Sequence, residues 1–192
     1  RAWDSTHAAR MAGTYGSLAD DLAAIFSAAS GGSRPTVSAS LLAELADEER
    51  ENWRRGVRPY PEALLALGLV RSSGTRLAIV TNASAEAASV VDALGLRWRV
   101  DEVFASCEAG LLKPDLLGVA LRRLGVDAPD ATLVDDEPEQ LDGAARLGIS
   151  TILVRRTGAG TSGPTETGPH RVVTDLRQVA DLVARAEPAQ RR

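Results

Sequence analysis

The sequence predicts an α/β protein, a doubly wound parallel sheet with a small α-helical cap ahead of it. Three observations carry that expectation. Short apolar runs at Leu77–Val80, Val103–Ala105, Ala131–Val134 and Thr151–Val154 alternate with helical segments, as parallel strands joined by crossover helices do. Residues 1 to 57 carry helical periodicity and no convincing strand. A chain of 192 residues, 44% hydrophobic and 25% charged, suits one globular core with an insertion better than two full domains.

The elements follow in order. Ser17-Leu-Ala-Asp20 resembles a capping box, with the Asp20 carboxylate near the first-turn amides, and Leu18, Leu22, Ile25 and Phe26 continue at helical spacing. Gly31-Gly-Ser-Arg-Pro35 breaks that helix. A second helix runs from about Ser38 to Arg55, with Leu41, Leu42 and Leu45 on one face and the charged run Asp47–Glu51 on a solvated one. After Pro59 and Pro61 the pattern changes: Pro61–Leu69 reads as a helix, and Leu77–Val80 as a buried strand. Ala85–Leu94, Leu116–Leu124, Leu141–Leu147 and Leu176–Ala186 read as helices between or after the remaining strands. Gln190–Arg192 is expected to fray.

Composition narrows the function. With 22 basic and 26 acidic residues the formal charge is −4. No basic excess exists to neutralise phosphate backbones, so neither a nucleic-acid nor a membrane-surface partner is expected. The longest apolar stretch, Ala63–Val70, is far too short to span a bilayer. A single cysteine, Cys107, forms no internal disulfide, which points to the cytoplasm. The chain opens on Arg1 rather than Met, and its natural beginning is expected to lie upstream. Oligomeric state is left open.

Lysine usage singles out one position. Of the 22 basic residues only Lys113 is lysine; the others are arginine. Where composition converts Lys to Arg throughout, a surviving lysine marks a place where a compact ammonium does what a wide guanidinium fork does not.

In an open α/β sheet, ligands bind beyond the carboxyl ends of the strands. There the sequence sets Thr81-Asn82 after Val80. Ser106, then Lys113-Pro114-Asp115, follow Ala105, and Asp135-Asp136 follow Val134. Two carboxylates about 4 Å apart repel by about 4 kcal/mol at an effective dielectric of 20, so adjacent acids call for a proton or a cation. Hard oxygen donors with no clustered His or Cys suit Mg²⁺ better than zinc. Successive strand residues face opposite ways, so both acids reach one site only if the chain turns at Asp136, and Glu137-Pro138 supplies a turn. A second reading stays open, in which the pair caps the helix near Leu141.

Together these strand ends resemble the haloacid dehalogenase-like (HAD) superfamily, over roughly Val57–Ala186. Arg58-Pro-Tyr-Pro61 with Gly74–Asn82 is similar to the second family motif and its lead-in. Val100–Ser106 followed by Leu112-Lys-Pro-Asp115 is similar to the third, and Thr132–Glu139 through Gly143–Ile149 to the fourth. In response-regulator receivers the acidic pair comes before the Thr and the Lys; here it comes last.

The resemblance implies a HAD/Rossmann-like core over residues 58–192, a helical cap over 1–57, and phosphoryl transfer. Thr81 and the backbone near Asn82 would hold the transferring phosphoryl group, and Lys113 would bridge it to the nucleophile. Asp136 would bind Mg²⁺ directly, with Asp135 in support. Lys113 and Asp136 are the catalytic candidates on this reading; Thr81, Asn82 and Lys113 bind substrate; Asp135 and Asp136 hold the metal. The substrate implied is a small phosphorylated molecule, hydrolysed through an aspartyl-phosphate. The dehalogenases of the superfamily work without metal and typically lack the acidic pair, so that pair favours a phosphatase. Gln140 stands where the family usually has Asn or Asp.

The first family motif, an apolar strand ending in Asp-x-Asp, does not precede Thr81. Asp4-Ser5-Thr6 resembles its tail, but Ala2 would then occupy the nucleophile position, and Ala does not attack. Arg1-Ala-Trp-Asp4 aligns better just beyond the nucleophile loop. The nucleophile and the central first strand are therefore expected upstream of residue 1, and a chain starting at Arg1 is expected to be inactive. Without that strand two inner sheet edges would be left unpaired. A catalytically inactive binding or regulatory module on the same scaffold is the alternative, and a phosphosugar mutase shares every motif.

Other signals are weaker. Gly158-Ala-Gly160-Thr-Ser-Gly163 matches the dinucleotide fingerprint, but Pro164, Gly168 and Pro169 prevent the helix that fingerprint requires, so a loop is expected. His7 and His170 are expected in structural or surface roles. Cys107 is expected to pack near the third motif, and Trp53 and Trp98 in the core or an interface. Trp3 is expected to line the cap cleft, and the residues around Met11–Tyr15 to set specificity.

Overall fold

The computed structural model describes residues 1–32, 37–84, 87–156 and 168–185. The glycine run at 158–163, residues 33–35 of the predicted break and the 190–192 terminus lie outside them. The described chain divides into two compact units, one formed by residues 1–58, 79–98 and 102–116, the other by 59–78, 99–101 and 117–192. Among the described residues no helix is long and apolar enough to cross a membrane.

The first unit opens with three helices, α1 (Ala2–Met11), α2 (Leu18–Ala29) and α3 (Ala39–Gly56). Both serines that mark helix starts in the sequence act as caps. Ser17 Oγ accepts the Asp20 amide and Ser38 Oγ accepts the Leu41 amide, each at 3.2 Å, satisfying amides that the first turn leaves free. α1 is held by Arg10, whose guanidinium lies 3.9 Å from the Trp3 ring centroid and donates to Thr6 Oγ1 at 3.2 Å and to the Trp3 carbonyl at 3.1 Å. α1 packs on α2 and α2 on α3. On α3, Ala46 is buried and Leu42 and Leu45 are half-buried on the same face, while Leu41 is exposed at its edge.

The same unit contains β1 (Ala78–Thr81), α5 (Ala87–Ala93), β2 (Glu102–Ala105) and the short α6 (Ser106–Ala109). β1 and β2 form a two-stranded sheet. The strand predicted at Leu77–Val80 is displaced by one residue and is half-buried along its whole length. Its apolar run reads as a strand covered on all sides, yet among the described residues it pairs only with β2.

The second unit holds α4 (Ala63–Ser72), β3 (Thr132–Asp135), α8 (Pro138–Arg146), β4 (Ser150–Val154), β5 (Arg171–Val173) and α9 (Leu176–Arg185). α7 (Asp115–Leu124) precedes β3. The sheet order is β3-β4-β5, both pairings parallel, with Asp135 opposite Leu153 and Val154 opposite Val173. Ile152, Val173 and Val179 form its buried core, with Val134, Val154, Leu176, Leu182 and Val183 packed on them. α8 packs on β3 and β4, and α9 on β5 and α4. Parallel strands connected through helices give the α/β class the sequence predicts.

Glu62, just before α4, fastens this unit. Its carboxylate accepts from Arg156 Nη1 at 2.5 Å, and that guanidinium lies 3.3 Å from the Tyr60 ring centroid. The Arg156 bond holds the Glu62 carboxyl below its ordinary range.

Candidate active site

Two strand ends supply the first group of residues. β1 ends at Thr81, and Asn82 follows at once in irregular backbone. Asn82 Oδ1 accepts the backbone amide of Lys113 at 2.9 Å, so the segment after β1 and the segment carrying the single lysine are joined. Thr81, Asn82 and Lys113 are all half-buried. The Lys113–Pro114 peptide is cis, and α7 begins two residues beyond Lys113.

Ser106, at the end of β2, is fully buried. Its hydroxyl donates to the Met11 carbonyl at 2.5 Å, with the Ala83 carbonyl 3.2 Å away, and accepts the Ala83 amide at 2.8 Å. The sequence placed Ser106 at a strand end and assigned it nothing. A hydroxyl residue directly after an apolar strand was the only signal available.

The acidic pair closes β3. Asp135 is its last residue and Asp136 sits in the bend that follows, the turn both acids need to approach one site. Asp135 Oδ1 accepts the Glu137 amide at 3.0 Å. Neither acid is the cap residue itself: the N-cap of α8 is Glu137, whose own side chain makes no cap bond, and Pro138 occupies the first turn. Asp136 is exposed and Asp135 half-buried. Among the described residues no three His, Cys, Asp or Glu side chains gather as a ready-made metal cage. Two consecutive carboxylates nevertheless suit Mg²⁺, which keeps several waters and is commonly held by one or two carboxylates plus substrate oxygens.

The structure thus brings Asn82 and Lys113 together in the first unit and sets Asp135 beside Asp136 in the second. The remaining candidates have other occupations. His170 is nearly buried, with Nδ1 2.8 Å from Thr151 Oγ1 and Nε2 3.2 Å from Asp142 Oδ1, a link between α8, β4 and the approach to β5. His7 is exposed. Trp98 is 83% exposed, which takes it out of the core, whereas Trp53 is half-buried and donates to Glu49 Oε1 at 2.7 Å. Burial, then the neighbouring Glu108 carboxylate, push the Cys107 thiol up, away from the reactive thiolate.

The model of the family described as haloacid dehalogenase-like hydrolase matches residues 8–148. The chain belongs to that family. Among curated HAD-like relatives, the "phosphoglycolate phosphatase, plasmid" of Cupriavidus necator is 34% identical over 135 residues, covering 68% of this chain and 58% of that protein. A phosphoserine phosphatase of Thermus thermophilus is 36% identical over 131 residues, covering 66% of this chain and 51% of the relative. The chain therefore spans little more than half the length of these two HAD-like proteins. Among solved structures, the L-2-haloacid dehalogenase of Xanthobacter autotrophicus superposes with a TM-score of 0.68 at 21% identity, over 97% of this chain and 83% of that one. At that identity the likeness is one of HAD fold.

Proposed function

We propose that this HAD-like hydrolase cleaves small phosphate monoesters with Mg²⁺ bound, through an aspartyl-phosphate formed on a carboxylate that lies upstream of residue 1. The observation that carries the reading is the bond from the Lys113 amide to Asn82 Oδ1 at 2.9 Å, which ties two of the three motif segments into one local structure. The likeness to proteins named phosphoglycolate and phosphoserine phosphatases supports the same chemistry.

On this reading the Thr81 hydroxyl and the amides near Asn82 hold the phosphoryl oxygens. The Lys113 ammonium neutralises charge on the transferring group, next to the attacking carboxylate. Fixed donors aimed at the place where charge gathers stabilise such a transfer without reorganising during it. Asp136, supported by Asp135, would hold Mg²⁺. Residues 1–57 serve as a cap over the site and 58–192 as its core, with the Met11–Tyr15 segment setting specificity. A strand ending in Asp-x-Asp would pair with β3 on the edge that is unpaired among the described residues. The lone cysteine suits a cytoplasmic enzyme.

The test is the protein extended upstream to include that strand, assayed on a panel of small phosphate monoesters and 2-haloacids with and without Mg²⁺. Mg²⁺-dependent phosphate release, lost in Lys113→Ala, is the expected result. Halide release without metal, or full phosphatase activity in Lys113→Ala, would contradict it.

A further inference from the structure

Ser106 is the one polar residue with no exposed surface at all among those that the structure buries. A serine hydroxyl has one proton and two lone pairs, and this one uses them on backbone groups from two distant segments. It accepts the Ala83 amide at 2.8 Å and donates to the Met11 carbonyl at 2.5 Å. Ala83 is the next residue after Asn82, whose side chain receives the Lys113 amide. Met11 is the last residue of α1. Two residues on, Gly13 lies against the Cys107 backbone at φ +69. One hydroxyl therefore sets the segment after β1 and, at the same time, the end of α1.

We propose that Ser106 is a positioning residue for phosphoryl binding: its hydroxyl fixes the Ala83 amide, and through it the Thr81–Asn82 segment, in register with Lys113 and with the Met11–Tyr15 segment. The proposal rests on the phosphoryl-binding reading of Thr81, Asn82 and Lys113. Removing the hydroxyl leaves a donor at Ala83 and an acceptor at Met11 without their partner in a water-poor place. That arrangement costs more than the net worth of a normal hydrogen bond, and the segment relieves it by moving. Such a shift displaces the anion-binding amides while leaving the apolar core intact.

The test is a titration of the full chain with inorganic phosphate, followed through the backbone amide resonances of Thr81, Asn82, Ala83 and Lys113. Wild type, Ser106→Ala and Ser106→Cys are compared. Cysteine nearly keeps the volume but bonds weakly, so it covers the case in which alanine fails to fold. Leu18→Ala, a truncation in the α2 core of the same unit, serves as the control for lowered stability alone. Both Ser106 variants are expected to bind phosphate about fivefold more weakly than wild type, the equivalent of one hydrogen bond. Their Ala83 amide should also exchange faster with solvent, while Leu18→Ala binds as wild type does. Unchanged affinity in the Ser106 variants, equal weakening in Leu18→Ala, or failure of both Ser106 variants to fold would each overturn the proposal and leave the pocket reading standing. Absence of phosphate-dependent shifts at these amides in wild type would instead overturn the pocket reading, and the role of Ser106 with it.

Discussion

Gly13 lies so close to Cys107 that a Cβ built on it would stand 2.3 Å from the Cys107 carbonyl oxygen, in a backbone conformation with φ +69. Both conditions call for glycine: the left-handed region disfavours a side chain, and the neighbouring atoms are backbone that does not swing aside. Gly13→Ala is expected to destabilise the chain by more than about 1 kcal/mol, measured by urea or thermal unfolding. Stability equal to wild type would mean that α1 and α6 separate without cost.

Asn82 has a role that two substitutions separate. Asn82→Ala removes the acceptor of the Lys113 amide and is expected to cost about 1 kcal/mol of stability. Asn82→Asp keeps an acceptor for that amide but sets a negative charge beside the proposed phosphoryl oxygens. It should unfold close to wild type and bind phosphate much more weakly. Equal phosphate binding by wild type and Asn82→Asp would remove Asn82 from the anion site.

Asp21 predicts a dependence on pH. Its side chain is 2% exposed, and Oδ2 has no hydrogen-bond partner among the described residues. Burial raises its pKa above 3.8, Arg10 offsets part of the rise, and Asp20 adds to it. A raised acid pKa in the fold means that the favourable state is the protonated one. The contribution of Asp21 is thus full below 3.8 and is lost as pH climbs through the folded value. Relative to Asp21→Asn, wild type should lose stability as pH rises above 3.8 in thermal melts. A difference independent of pH would contradict this.

Glu62 predicts the opposite sign. Its carboxyl is held below 4.5, first by the Arg156 hydrogen bond. Its stabilising contribution is present above 4.5 and disappears as pH falls through the folded value. Glu62→Gln should be less stable than wild type at neutral pH, and the gap should close on acidification. Arg156→Lys, which loses the planar fork that both stacks on Tyr60 and donates to Glu62, should show the same convergence.

The features written locally in the chain were the ones legible in it. Ser17 and Ser38 marked two helix starts because capping is decided within four residues. The apolar runs of β3 and β4 marked parallel strands because helices cover them. β5, three residues beginning at Arg171, offered no periodicity to read, and the four residues of α6 are too few to show one. The half-burial of β1 and the exposure of Leu41 depend on what else packs nearby, which no local pattern carries. Among the candidate residues, Thr81, Asn82, Lys113, Asp135 and Asp136 stand out by type and by position after strands. The Asn82–Lys113 bond and the buried hydroxyl of Ser106 join residues far apart in sequence and emerge only on folding.

On the proposed reading Thr81 and Lys113 bind a phosphoryl group, and Asp136 binds a magnesium ion. Calorimetric titration of the chain with inorganic phosphate, with and without Mg²⁺, tests it most directly. The account predicts that Mg²⁺ tightens phosphate binding in wild type, that Asp136→Asn abolishes this tightening, and that Lys113→Ala weakens binding under both conditions. Phosphate affinity indifferent to Mg²⁺, or a metal effect that survives in Asp136→Asn, would contradict it.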